Sequence, residues 1–274
     1  MGAADRPPPA ADRARPVTTW SETASPDLAA AAARTDRGHE VGLVPVGAIE
    51  QHGPHLPVGT DSIVASALCA AAGAMTGSLV LPAISLGVSY GHGTVLAGTL
   101  SLTPDLLVAT VHQYVRWASV TGLRRLLFVN AHFGNSASLN VATDSVRLLA
   151  PQLRVGTLDW WAADPAVLAE VTADGADIHA NRAETAIMMA IAPHLVQAGR
   201  AAAADDPDRT AGLAFRYTAS ALSRNGVTGR PSEATAELGA SLRDRVVSAI
   251  AGRIEQGRTE EPPLGVAPAP GFPF

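Results

Sequence analysis

Glu50 and His52 stand two residues apart in GAIEQHGPHLPVGTD, directly after an apolar run, and Asp61 follows a Gly/Pro-rich loop. Residues two apart in an extended segment point the same way. A carboxylate and an imidazole therefore share one side of a strand end, and a turn returns a second carboxylate toward them. These are oxygen and nitrogen donors of the kind zinc or manganese accepts. LLFVNAHFGN places His132 after another apolar run, and DIHANRAET places His179 and Glu184 at the start of a segment continuing through Ile187 to Ile191. Taken singly, Asp61 reads more readily as a solvated residue or helix cap, and a lone loop histidine as a structural group. Taken together, Glu50, His52, Asp61, His132 and Glu184 fall at three strand-to-helix junctions framed by glycine or proline.

The elements that must position these groups follow from periodicity. Val41 to Val46, Leu79 to Ile84, Leu126 to Val129 and Leu153 to Leu158 read as strands. Asp61 to Met75, Pro104 to Thr121 and Asn135 to Ala150 read as helices, with Asp, Pro and Asn near their starts. Strand–helix–strand alternation predicts an α/β fold with a mostly parallel sheet covered by helices on both faces. Ligands of such sheets collect beyond the carboxyl ends of the strands, which is where the chemistry-bearing residues lie. Pro- and Arg-rich residues 1–16 and Pro-rich residues 259–274 read as tails flanking a single catalytic domain over 17–258.

Composition narrows the function. The chain has 274 residues, 47% of them hydrophobic and 16% charged, with a formal net charge of −5; no basic excess exists to bind nucleic acid electrostatically. All 20 basic residues are arginine, which removes lysine Schiff bases and phosphate-loop lysines. Cys69 is the single cysteine, so neither an internal disulfide nor a multi-cysteine zinc site is available. No window offers the ~20 apolar residues of a membrane span, and the N-terminus lacks the apolar core of a secretory signal. A cytoplasmic address is the default expectation. No G-x-S-x-G elbow occurs, which disfavours a serine hydrolase.

The motifs resemble the creatininase family of metal-dependent amidohydrolases. Its G-x-x-E-Q-H-G-x-H-L-P signature with a following T-D appears as GAIEQHGPHLPVGTD, its N-G-H-x-x-N as NAHFGN at 130–135, and its H-A-G-x-x-E-T as HANRAET at 179–185; GTLSL at 98–102 is also typical. The resemblance runs from about residue 40 to 195 and more loosely to 250. It implies a three-layer α/β/α sandwich, often assembled as a hexamer, and two divalent metal ions per chain, zinc with manganese or iron as alternatives. By this resemblance Glu50 and His132 hold one metal, His52 the other, and Asp61 bridges them. One branch of the family completes the site with a glutamate two residues after the motif histidine. Here that position is Gly134, which leaves the space open and passes the role to Glu184. Ala131 and Asn181 replace usual glycines and are expected to narrow backbone freedom near the site.

Two such cations would lower the pKa of a shared water and polarise the carbonyl under attack. The leaving nitrogen needs a proton, for which His179 is the leading donor because imidazole titrates near neutrality; the alternative is that His179 orients Glu184, which is itself expected to act catalytically. His55, His92, Phe133, Trp160 and Trp161 are candidate substrate contacts, with turn capping or core packing as the alternatives. His39, His112 and His194 are expected to do no chemistry. Residues 207–231 read as a lid or an assembly contact. The expected substrate is an amide on a small molecule or modified peptide: a creatinine-like lactam, a formamide on an opened purine-like ring, or a mycofactocin-type precursor peptide. A catalytically silent scaffold is the competing class.

Overall fold

Alternate side chains of three parallel strands feed two separate cores, one on each face of the sheet. In the computed structural model, which describes residues 19–33, 39–93 and 96–264, β1 (Val41–Val46), β2 (Arg125–Asn130) and β3 (Arg154–Asp159) pair in that order. Val41 and Leu43 of β1, with Val129 of β2 and Leu158 of β3, enter one core; Val44, Val46 and Phe128 enter the other. The first core is completed by α2 (Thr60–Thr76), α5 (Pro165–Val171), α6 (Arg182–Ile191) and α7 (Ala236–Thr259). The second is completed by α1 (Ser25–Ala33), α3 (Pro104–Thr121) and α4 (Ser136–Leu149). Helices on both faces of a parallel sheet make the three-layer sandwich the alternation predicts.

Caps explain several boundaries. Thr103 accepts from the Leu106 N–H ahead of Pro104, and Asp164 accepts from the Ala166 and Val167 N–H groups ahead of Pro165. Each cap satisfies donors that a first helical turn leaves unpaired, and proline at the first position loses nothing there.

The predicted strand over 79–84 is a correction. The segment runs parallel to β1, bonding from Leu43 N–H to Leu79 O, Leu81 N–H to Leu43 O, Ile84 N–H to Pro45 O and Gly47 N–H to Ile84 O, but makes only isolated bridges. Pro82 has no N–H to give, and neither has Pro45 opposite, so the ladder is interrupted. The long α7 escaped the sequence reading although Leu242, Val246, Ile250 and Ile254 recur four apart and are all buried. It continues to Thr259, one residue into the segment read as a tail. The expected tails at 1–16 and, beyond Leu264, at 265–274 lie outside the described residues. Among the described residues no helix is long and apolar enough to cross a membrane.

Candidate metal centre

Glu50 lies just past β1, His132 just past β2, and Ser89 to His92 follow the segment paired to β1, so the carboxyl edge of the sheet gathers them. Asp61 enters from the first turn of α2, Glu184 from the first turn of α6, and His179 from the loop before it. They line a cavity of about 190 Å³. His52 Nε2 is 3.0 Å from Asp61 Oδ1, His132 Nδ1 is 3.1 Å from Asp61 Oδ2, and His179 Nε2 is 2.7 Å from Glu50 Oε1. His52, Asp61 and Glu184 each offer a ligand atom within 4.8 Å of the others, as do Glu50, His92 and His179. His132 stands between the two acidic groups, its Nε2 3.4 Å from Glu50 Oε2.

Backbone carbonyls orient the imidazoles. His52 Nδ1 lies 3.0 Å from Glu50 O, His179 Nδ1 2.6 Å from Gly226 O, and His132 Nε2 3.0 Å from Val88 O. A carbonyl only accepts, so each of these nitrogens carries hydrogen and the opposite nitrogen faces a carboxylate, with which it shares either a second proton or, as a lone pair, a cation. This is the outer support that metal-ligating histidines require. The motif asparagines brace His132: Asn130 accepts its N–H and donates to its carbonyl, while Asn135 donates to Gly47 O and accepts from Val88 N–H.

Glu50 Oε2 and Asp61 Oδ2 are buried and have no hydrogen-bond partner beyond the His132 imidazole, at 3.4 and 3.1 Å. A buried carboxylate oxygen without a donor is costly unless a cation satisfies it, so the donor set fits divalent metal. The charges already present lean the same way. Burial favours neutral His52, but the Asp61 carboxylate, with Glu184 and Glu50 behind it, carries it up to about 10. Burial likewise opposes charge on His132, and Glu50 and Asp61 raise it to about 9. Against the effect of burial, His132 and His179 hold Glu50 well below the usual carboxylate range, and His52 and His132 lower Asp61. Glu184 is raised, by burial and by the neighbouring Asp61 charge. Buried imidazolium protons thus balance the acids, a task a divalent cation takes over by displacing them.

Asn181 does not merely crowd the third motif. It caps α6, accepting from Glu184 N–H at 3.0 Å and donating to Val171 O and Asp174 Oδ1. Ala180, the only non-glycine described with positive φ (50°), turns its N–H onto Glu184 Oε2. A left-handed alanine costs about 1–2 kcal/mol, and this strain sits where it aims a site carboxylate. Gly134 corrects an expectation: it leaves no open space, because a Cβ there would overlap Val88 O and the His132 ring.

Of the predicted substrate contacts, His92 and Phe133 line the cavity. His55 does not; it is buried against Thr185 Oγ1 at 2.8 Å, and burial, with the nearby His52 and His179 charges, lowers it to about 4. Trp160 is buried in the first core, and Trp161 stacks beneath Phe133 at 4.9 Å, so neither tryptophan forms the wall. The large aromatics at the rim are Phe133 and Tyr90, each 55% exposed. Sequence reasoning missed Ser89, Tyr90 and Asp177 in the wall. Of the histidines expected to be inert, His39 bonds Arg258 O and His112 bonds Ser145 Oγ, both away from the cavity.

Fold and site together define an α/β protein with a buried carboxylate–imidazole centre at the carboxyl edge of a parallel sheet. The family model described as "Creatininase: Creatinine amidohydrolase" matches residues 21–254. A mycofactocin precursor peptide peptidase of Mycobacterium ulcerans (strain Agy99) is 34% identical over 226 residues, 76% of this chain and 84% of that protein. A creatinine amidohydrolase of Pseudomonas putida is 33% identical over 183 residues, 61% and 70% of the two chains. A crystal structure of creatininase superimposes with a TM-score of 0.79 at 28% identity, covering 90% of this chain and 100% of that one. Further creatininase structures include a Zn–Zn type, at TM-score 0.76, 28% identity and coverages of 88% and 98%, and a manganese form, at TM-score 0.75, 26% identity and coverages of 89% and 99%. The chain belongs to the creatininase family and is a hydrolase.

Proposed function

We propose that this hydrolase cleaves an amide C–N bond of a small molecule or modified peptide with two divalent ions, zinc or manganese, held by Glu50, His52, Asp61, His132 and Glu184. The observation that carries this is the pair of orphaned buried oxygens, Glu50 Oε2 and Asp61 Oδ2, facing oriented imidazoles. Bound there, such ions would activate water and polarise the amide carbonyl. The chain's own groups do the rest. Asp61 lies between His52 and His132 and serves both positions; Ala180 N–H and Asn181 fix the Glu184 carboxylate. His179, backed by Gly226 O, presents Nε2 to Glu50 and is placed to move a proton at that atom.

A mycofactocin-type peptide is favoured over a creatinine-like lactam. The peptidase relative aligns over more of the chain than the creatinine amidohydrolase, at 34% against 33% identity, and the exposed Phe133 and Tyr90 extend the cavity with apolar surface that a longer substrate can cover. Self-association is part of the proposal, supported by exposed Leu213, Phe215 and Tyr217 in one stretch. The test is elemental analysis of protein purified without chelator, followed by hydrolysis of a creatinine, formamide and C-terminal peptide panel. About two ions per chain and turnover of the peptide are expected. A metal-free protein inert to all three supports the scaffold alternative instead.

A further inference from the structure

Gln51 stands between the two motif residues Glu50 and His52, and its side-chain amide has three neighbours that leave it one orientation. Its Oε1 accepts from Gly53 N–H at 3.0 Å, and its Nε2 donates to Gly226 O at 3.3 Å. An N–H only donates and a carbonyl only accepts, so exchanging the amide oxygen and nitrogen would break both bonds. Backbone pins the residue as well, through Gln51 N–H to Thr99 Oγ1 at 3.1 Å. The same Nε2 lies 2.9 Å from His92 Nδ1. That imidazole nitrogen must therefore be the acceptor, and the proton of the neutral ring sits on Nε2, which faces the cavity 3.5 Å from Glu50 Oε1.

The neighbouring His179 is set the other way. Its ring lies 4.3 Å from that of His92, yet its Nδ1 donates to Gly226 O while its Nε2 meets Glu50 Oε1 at 2.7 Å. One carbonyl, that of Gly226, thus receives both the His179 proton and the Gln51 amide, and so sets Nδ1 protonated on one ring and bare on the next. The segment 207–231 contributes this atom, which gives that stretch a part in ordering the site. Gly226 has φ 81°, and a Cβ there would overlap Gln51 Oε1.

We propose, building on the amidohydrolase reading above, that His92 binds no metal and instead offers a neutral Nε2–H hydrogen bond to the substrate carbonyl oxygen, with Gln51 as the positioning residue that fixes its tautomer. The bond stays a hydrogen bond: a neutral imidazole does not give up its last proton, so the proton for the leaving nitrogen comes from elsewhere. Because Nδ1 accepts from the Gln51 amide, the ring carries one proton, on Nε2, and is neutral. Ligation of metal through Nε2 would require Nδ1–H to face the Gln51 amide hydrogens, leaving buried donors opposed at about 1–3 kcal/mol each. Proximity alone places His92 with Glu50 and His179 as a ligand group; the hydrogen bonding removes it.

The test combines metal content, tautomer and turnover. In holoprotein labelled with 15N-histidine, the long-range 1H–15N signals lost in His92→Gln are assigned to His92; Nε2 is expected to be the protonated nitrogen and Nδ1 the bare one. Protonated Nδ1, or Nε2 with a metal-bound shift, overturns the proposal. His92→Ala is expected to keep the wild-type metal stoichiometry and lose roughly 10²–10³ in kcat, the range of one removed oxyanion donor. His92→Gln, whose amide N–H reaches a similar point, is expected to recover part of that loss. Gln51→Glu is expected to move the proton to Nδ1 with metal retained. Loss of one metal equivalent in His92→Ala makes it a ligand and overturns the proposal. The tautomer is read without turnover, so a failed amidohydrolase assay rejects the functional reading separately.

Discussion

His179 Nε2 and Glu50 Oε1 lie 2.7 Å apart although 129 residues separate them. The two are also joined to the two halves of the centre, because Glu50 faces His132 and the His179 ring lies 4.7 Å from that of His52. The centre is therefore one charge-balanced unit, in which altering any acid reaches several imidazoles.

Replacing Asp61 with Ala removes the one carboxylate that meets both His52 and His132. Metal content by elemental analysis is expected to fall at both positions rather than at one. Two ions retained per chain would exclude Asp61 as the shared ligand.

Glu184→Gln keeps an oxygen for Ala180 N–H, so the α6 start and the thermal midpoint are expected to survive. Loss of the negative charge is expected to weaken the metal beside His52 and Asp61 and to lower hydrolysis by several orders of magnitude. Adding Gly134→Glu is not expected to rescue it, because the first atom of any side chain at 134 overlaps Val88 O and His132. Calorimetry, elemental analysis and turnover of the single and double variants check each part.

The stability of chelated, metal-free protein should depend on pH in a stated direction. His52 and His132 are raised from 6.5 to about 10 and about 9 in the fold, so their contribution is complete below pH 6.5 and is lost as pH rises through 9 to 10. Glu50 and Asp61 are lowered from 4.5 and 3.8, so theirs is complete above those values and fades on acidification. His55 and His92, lowered from 6.5 to about 4 and about 3, contribute above 6.5 and lose that contribution on acidification, so Tm is expected to peak near pH 6.5. Metal binding at pH 7.5 is expected to release about two protons, measurable by titration calorimetry in buffers of different ionisation enthalpy; no release would contradict charged His52 and His132.

Gly226→Ala places a Cβ at φ 81° and against Gln51. The left-handed conformation alone costs about 1–2 kcal/mol. A fall of several degrees in Tm is expected, with turnover reduced while metal remains bound; an unchanged Tm would mean that the loop relaxes around the new side chain.

The sequence by itself determined the strands Val41–Val46 and Arg125–Asn130 to within a residue, the helix Pro104–Thr121, and the local grouping of Glu50, His52 and Asp61. These depend on apolar runs, helix caps and spacing of two, all properties of neighbouring residues. The strand at 79–84 was half legible: its apolar run was visible, but Pro82 and Pro45 act on hydrogen bonds between segments. Tertiary structure alone decided which polar groups reach the cavity. His55 meets Thr185 across 130 residues, Trp160 enters the core, and Gln51 finds His92 and Gly226 at separations of 41 and 175. Imidazole tautomers are set by partners brought in from other segments, and periodicity carries no record of them. For the same reason Gly226, in a stretch with few regular signals, supplies the carbonyl that orients two histidines at once.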